Sequence, residues 1–179
     1  MKGSLDENVI ERIKKVKLLL LDVDGVLTGG SIIYDDDGRE IKVFDVKDGH
    51  GLKLLMRAGV DVGIITSRSS TVVDRRAKDL GIEIVYQGML DKVKAFEDVL
   101  DKRSLSPHET AYMGDDIVDL PVLKRAGFSI AVPDGVEEVR EMADYVTERP
   151  GGRGAVREVS ELILKVQGKW ESLMERYSR

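Results

Sequence analysis

Val9, Ile10, Ile13 and Val16 recur at the spacing of a helix with one apolar face. Directly after them, residues 18–21 are four leucines without alternation, the pattern of a strand covered on both faces in a parallel sheet. That run stops at Asp22-Val23-Asp24-Gly25. The two patterns then alternate along the chain. Residues 60–65, 82–86, 110–113, 129–132 and 145–147 read as strands. Residues 51–57, 70–80, 91–102, 117–126 and 136–143 read as helices, with Gly59 and Gly81 as C-terminal stops and Pro121 in a first turn. A long amphipathic helix over 155–177 closes the chain, with Val156, Val159, Leu162, Ile163, Val166 and Trp170 as its stripe. Strands alternating with helices predict an α/β fold, a doubly wound, Rossmann-like parallel sheet flanked by helices.

Two segments depart from that rhythm. Residues 31–44 place two β-rich runs around Asp35-Asp36-Asp37-Gly38, which predicts a β-hairpin flap. Residues 148–154, Glu-Arg-Pro-Gly-Gly-Arg-Gly, read as a flexible Gly-rich loop. No linker is long enough to divide the chain, so one domain is expected over 1–179.

Composition narrows the chemistry. The chain carries 28 Lys and Arg against 33 Asp and Glu, a net charge of −5, with no cysteine and two histidines. That excludes a disulfide framework, a thiolate metal site and a His-rich zinc site. The acidic balance argues against nucleic-acid binding but allows a small anionic substrate held by a few cations. No apolar run is long enough to span a bilayer, and no secretory signal opens the chain. A soluble cytoplasmic protein is expected.

In open α/β sheets, ligands bind beyond the carboxyl ends of the strands. At those ends stand Asp22 and Asp24, then Thr66, Ser67 and Arg68, then Lys92, then Asp115 and Asp116. Three carboxylates, a lysine and a hydroxyl suit a hard cation, most simply Mg²⁺, next to a phosphate. Mg²⁺ would relieve the repulsion between carboxylate and phosphoryl group. Asp22 is the candidate nucleophile, forming an aspartyl-phosphate. Asp24 is the candidate general acid and then base. Lys92 and Thr66 are expected on the equatorial oxygens.

These residues carry a resemblance. Asp22-Val23-Asp24-Gly25-Val26, Ile65-Thr66, Lys92 and Gly114-Asp115-Asp116-Ile117-Val118-Asp119 are similar, in order, to the four motifs of the haloacid dehalogenase superfamily. Residues 24–28, Val46-Lys47-Asp48-Gly49-His50-Gly51, Tyr86-Gln87-Gly88 and residues 151–159 resemble the 3-deoxy-D-manno-octulosonate 8-phosphate phosphatase family. The resemblance implies a phosphoric monoester hydrolase that acts on a small phosphorylated sugar acid in lipopolysaccharide precursor synthesis. It implies Asp22, the Asp24 backbone carbonyl and Asp115 as metal ligands. It implies substrate contacts at Asp24, Lys47, Asp48, Gly49, Lys53, Arg68, Arg76 and Lys92. It further implies a homotetramer without a cap domain, whose hairpins meet at its centre and whose tail closes a neighbour's site. Lys47 and Lys53 stand where arginines are common, and a related nine-carbon sugar acid phosphate is the alternative substrate.

The spacing supports the missing cap independently. Residues 22–66 hold only the hairpin and one helix, and residues 66–92 only one helix and one strand. Since such a site benefits from excluding water, the hairpin and the Gly-rich segment of a neighbouring subunit are the candidate lids. Two other readings compete, a receiver-like phospho-accepting domain and a non-catalytic scaffold. The first lacks an acid at residues 86–88, and the second leaves Asp22, Asp24, Thr66, Lys92 and Asp115 without a purpose. Plainer readings cover the rest. Asp35 to Asp37 form a solvated turn, and Asp116 a helix cap. Asp119 is either a cap or an orienting group. His50 and His108 are turn and loop residues, and Trp170 and Tyr177 pack a helix.

Overall fold

A computed structural model describes residues 5–178. Six parallel strands form one sheet: β1 (Leu18–Leu21), β4 (Asp61–Ile65), β5 (Ile84–Tyr86), β6 (Thr110–Gly114), β7 (Phe128–Ala131) and β8 (Tyr145–Val146). Their spatial order is β5-β4-β1-β6-β7-β8. The chain first builds outward from β1 to β4 and β5, then returns to the other side of β1 with β6. The order therefore reverses between β1 and β6, and a crevice opens there at the carboxyl ends.

Period-two alternation divides the four leucines of β1 between the two faces. Leu19 and Leu21 join one buried cluster with α1 (Glu7–Lys14), α2 (Val46–Arg57), α3 (Thr71–Leu80) and α7 (Ala155–Val166). Leu18 and Leu20 join the other, with α4 (Lys92–Arg103), α5 (Leu120–Leu123) and α6 (Glu137–Met142). All four are 0% exposed, and each contributes about 1.5–3 kcal/mol by leaving water. The expected doubly wound sheet is thus the observed one.

Several boundaries differ from expectation. The hairpin of β2 (Ile33–Tyr34) and β3 (Glu40–Ile41) has only two residues per strand, around the expected Asp35–Gly38 turn. α2 starts at Val46, five residues before the expected start. Asp45 caps it by accepting from the Lys47 and Asp48 amides at 2.6 and 3.2 Å. Gly51 is tolerated inside it because a Cβ there would lie 3.0 Å from Arg157 and Ser160 of α7. The helix expected over 117–126 is a 3₁₀ turn (Ile117–Asp119) followed by the four-residue α5.

The long final helix is interrupted. Gly168 adopts φ +66°, and the amides of Gly168 and Lys169 turn back to the carbonyls of Lys165 and Leu164. This is a left-handed helix stop. The chain resumes as α8 (Trp170–Met174) and a 3₁₀ turn (Glu175–Tyr177). The Gly-rich segment is also not the loose loop expected. The Gly152 amide donates to Val26 O at 2.9 Å, Gly151 to Asp134 Oδ1 at 3.1 Å, and Gly154 to Asp48 Oδ2 at 3.2 Å. It lies against the loop after β1 of its own chain. No helix among the described residues is long and apolar enough to cross a membrane.

Candidate active site

The β1–β6 crevice holds the carboxylates. β1 delivers Asp22, whose amide pairs with Met113 O of β6 at 3.0 Å. The strand ends there because the chain turns at Gly25 (φ +91°), where a Cβ would fall 1.9 Å from Asp115 Oδ2. Glycine is required at that position because the second carboxylate occupies the space a side chain would fill. β6 delivers Asp115 one residue beyond its end. Single carboxylate oxygens of Asp22, Asp115 and Asp119 lie within 4.8 Å of one another.

Among the described residues, one cation faces this cluster. Lys92 opens α4 and is buried. Its Nζ lies 3.0 Å from Asp22 Oδ2 and 2.6 Å from Asp119 Oδ1. Burial alone would lower its pKa, but Asp22 and Asp119 outweigh that and raise it. Asp119 is fully buried and saturated. Its Oδ1 also accepts from Tyr112 Oη at 2.7 Å, and its Oδ2 from the amides of Asp115 and Asp116 at 3.0 and 3.3 Å. Asp119 is both: Oδ2 caps the start of the 3₁₀ turn, and Oδ1 holds Lys92. Turning that side chain inward is also what holds residues 117–119 in a tight 3₁₀ turn.

The remaining carboxylates carry the strain of too much negative charge. Burial, then Asp119, push the Asp22 pKa up to about 6 against the pull of Lys92. Burial, then Asp22, Asp119 and Asp116, push Asp115 up to about 8. Asp115 Oδ1 is buried without a hydrogen-bond partner among the described residues. An orphaned carboxylate oxygen beside a second carboxylate with a raised pKa is a hard-oxygen site short of positive charge. That donor set fits a divalent cation such as Mg²⁺. Asp119 is the poorer ligand of the three, since four donors already occupy its oxygens.

The other expected site residues fall into two groups. Thr66 is buried at the end of β4, tied through its backbone to Tyr86 O and the Met89 amide at 2.9 and 3.0 Å. The Asp24 carboxylate turns away from the cluster toward the hairpin. Its Oδ1 is 2.5 Å from Lys42 Nζ, and its Oδ2 3.5 Å from Arg68 Nε. Arg68 also donates to Tyr34 Oη and Glu40 Oε1. Arg76 sits over the Phe44 ring and donates to Asp45 O at 3.3 Å. Lys47 is exposed and Lys53 half-buried on α2.

Two further expected residues, Asp48 and Gly49, are covered by other parts of the chain. Asp48 is 1% exposed, and its oxygens accept from the Gly154 and Arg157 amides at 3.2 and 2.7 Å. It caps α7 from α2. Gly49 is covered by Arg76, whose Nη2 lies 2.4 Å from where a Cβ would stand. Sequence reasoning also missed Tyr112 and Lys42. A tyrosine in a strand buried on both faces needs a hydroxyl partner, which was a usable signal for Tyr112. Lys42 carried none, because its position depends on how the hairpin folds over the crevice.

A model of the haloacid dehalogenase-like hydrolases matches residues 76–158. The 3-deoxy-D-manno-octulosonate 8-phosphate phosphatase KdsC of Escherichia coli (strain K12) is 44% identical over 167 residues, 93% of this chain and 89% of that protein. The chain belongs to this phosphatase family. Solved members share its fold at near full length. The Yersinia pestis phosphatase superposes with a TM-score of 0.91 at 44% identity, covering 92% of this chain and 89% of that one. The Moraxella catarrhalis phosphatase, in complex with a magnesium ion, a phosphate ion and KDO, does so at 0.93 and 45% identity, covering 96% and 99%.

Proposed function

We propose that this chain hydrolyses 3-deoxy-D-manno-octulosonate 8-phosphate to 3-deoxy-D-manno-octulosonate and inorganic phosphate, with Mg²⁺ as cofactor. The observation that carries the reading is the 44% identity, over nearly the whole chain, to phosphatases named for that substrate. The Moraxella catarrhalis relative, described with magnesium, phosphate and KDO together, supports both cofactor and substrate class.

The proposed residue roles rest on the motif resemblance and are supported by the carboxylate cluster around Asp22. Asp22 attacks phosphorus, and the bond from phosphorus to the sugar oxygen breaks. That oxygen takes a proton from Asp24, leaving an aspartyl-phosphate on Asp22. Water then attacks phosphorus, gives its proton to Asp24, and phosphate leaves as the bond to Asp22 breaks. Lys92 and Thr66 hold the equatorial oxygens. Lys92 is held for this by Asp119, and Asp119 by Tyr112. Asp22, Asp115 and the Asp24 carbonyl would hold Mg²⁺, which would supply charge that offsets the repulsion between carboxylate and phosphate. Asp24, Lys47, Asp48, Gly49, Lys53, Arg68, Arg76 and Lys92 are the candidate contacts for the substrate, as the resemblance implies.

The enzyme is proposed to act in the cytoplasm as a homotetramer. The hairpin supports the assembly. Ile33, Ile41 and Val43 are 39–66% exposed, the outer face of the hairpin, uncovered among the described residues. With the Gly-rich segment seated on its own chain, the hairpins are the better candidates for the surface shared between subunits.

The test is phosphate release from 3-deoxy-D-manno-octulosonate 8-phosphate, with and without Mg²⁺, beside the nine-carbon analogue. Mg²⁺-dependent preference for the eight-carbon substrate is expected. Asp22→Asn is expected to lower kcat by at least about 1,000-fold with the fold intact by circular dichroism. Preference for the nine-carbon analogue would move the substrate, and full activity of Asp22→Asn would overturn the mechanism.

A further inference from the structure

The hairpin is patterned inside out. Ile41 and Val43 point to solvent at 46% and 66% exposure, while the Lys42 side chain between them is 2% exposed. Burying a lysine is costly unless its ammonium is paired. Here Nζ lies 2.5 Å from Asp24 Oδ1 and 3.2 Å from Glu40 Oε1. Glu40, also facing inward, accepts from Arg68 Nη2 at 3.1 Å, and its other oxygen accepts from Ser70 Oγ. Arg68 Nε in turn lies 3.5 Å from Asp24 Oδ2. Both oxygens of Asp24 are therefore bracketed by cations, and Glu40 holds the two cations together.

This arrangement has a consequence for Asp24. Asp24 follows β1 in a turn where nothing in the strand fixes its side chain, and its carboxylate lies outside the Asp22–Asp115–Asp119 cluster. Its direction is set instead by a side chain from the hairpin and one from the loop after β4. A general acid contributes only when its proton can reach the leaving oxygen. We propose that Lys42 is a positioning residue for Asp24, and that Glu40, by holding Lys42 and Arg68 as a pair, makes the seating of the hairpin set the direction of the acid/base carboxylate. The proposal rests on the phosphatase reading and deepens it.

The test compares two aryl phosphates of similar size that lack a sugar carboxylate, in Mg²⁺. p-Nitrophenolate departs without a proton, whereas phenolate depends on one. Since kcat/KM reports steps only through departure of the leaving group, Lys42→Met is expected to lose about tenfold or more on phenyl phosphate and under about threefold on p-nitrophenyl phosphate, as a misplaced general acid would. Glu40→Gln is expected to lose less, in the same direction. Equal losses on the two substrates, or no loss on either, would overturn the proposal. So would a rise in KM for the sugar acid phosphate with kcat unchanged, since Lys42 would then be a substrate contact.

A crystal structure of Lys42→Met gives an answer that needs no turnover. The Asp24 carboxylate is expected to leave its place beside Arg68, and an unmoved Asp24 overturns the proposal. A wild type inactive on every phosphate ester would overturn the phosphatase reading instead, leaving the structural comparison to decide the role of Lys42.

Discussion

The crevice between β1 and β6 and the hairpin over it are built in opposite ways. In the crevice, charge is buried and every oxygen of Asp119 has a partner supplied by the same chain. In the hairpin, two-residue strands are too short to bury anything of their own, and the apolar side faces out. The Asp119 side of the crevice is tightly held, because removing Asp119 would strand Lys92 and Tyr112 in a low-dielectric interior. The hairpin keeps its place through charged contacts on its inner side, and its outer apolar side is exposed. Asp22, Asp115 and Asp119 thus rest on the sheet, whereas the direction of the Asp24 carboxylate rests on the hairpin.

The hardest blow to the first half of this contrast is Asp119→Ala. It would leave the Lys92 ammonium and the Tyr112 hydroxyl buried without their shared acceptor. Unfolding free energy is expected to fall by about 3–5 kcal/mol in urea titration. A loss under about 1 kcal/mol would mean the crevice is not the rigid part.

Asp48→Ala should come next, at about 1–2 kcal/mol, because it removes the acceptor for two amides at the start of α7. Amide exchange should accelerate in the first turn of α7 and in Gly154. Unchanged exchange there would show that the Gly-rich segment is held by something else.

Metal removal gives a smaller effect with a definite sign. Asp22 and Asp115, at about 6 and about 8, keep protons that an unfolded aspartate, near 3.9, has lost. The folded state then binds more protons, so stability falls as pH rises from about 4 to about 8. In EDTA, Tm at pH 8 should lie below that at pH 5 by at least about 3 °C, the size of a 1 kcal/mol change in a chain of this length. Mg²⁺ should restore most of it at pH 8, and Asp115→Asn should flatten the slope. A Tm indifferent to both pH and Mg²⁺ would contradict the charge balance described for the crevice.

The smallest stability effect belongs to the hairpin. Ile41→Lys should change the unfolding free energy by less than about 0.5 kcal/mol, yet sedimentation should move from the proposed tetramer to smaller species. An unchanged assembly would mean that the outer face of the hairpin is not the shared surface.

Much of the crevice was legible along the chain. A run of four leucines ending in Asp-Val-Asp-Gly announces a buried strand with carboxylates at its carboxyl end, and the same logic finds Thr66, Lys92 and Asp115. The hairpin turn was legible from Asp-Gly. The start of α2 was not, because two glycines and a histidine weaken the helical pattern that Asp45 and close packing on α7 restore. The break in the last helix was signalled by Gly168 alone, which a continuous apolar stripe masked.

The sequence by itself determined the sheet, its two buried faces and which carboxylates stand at its carboxyl ends, because periodicity and strand ends are local properties of the chain. Only the tertiary structure decided that Asp48 caps α7, that Asp119 orients Lys92, and that Lys42 reaches Asp24. Each of those depends on where a side chain finds a partner from a distant segment. A buried charge takes the direction of whatever compensates it, and that partner is settled by packing.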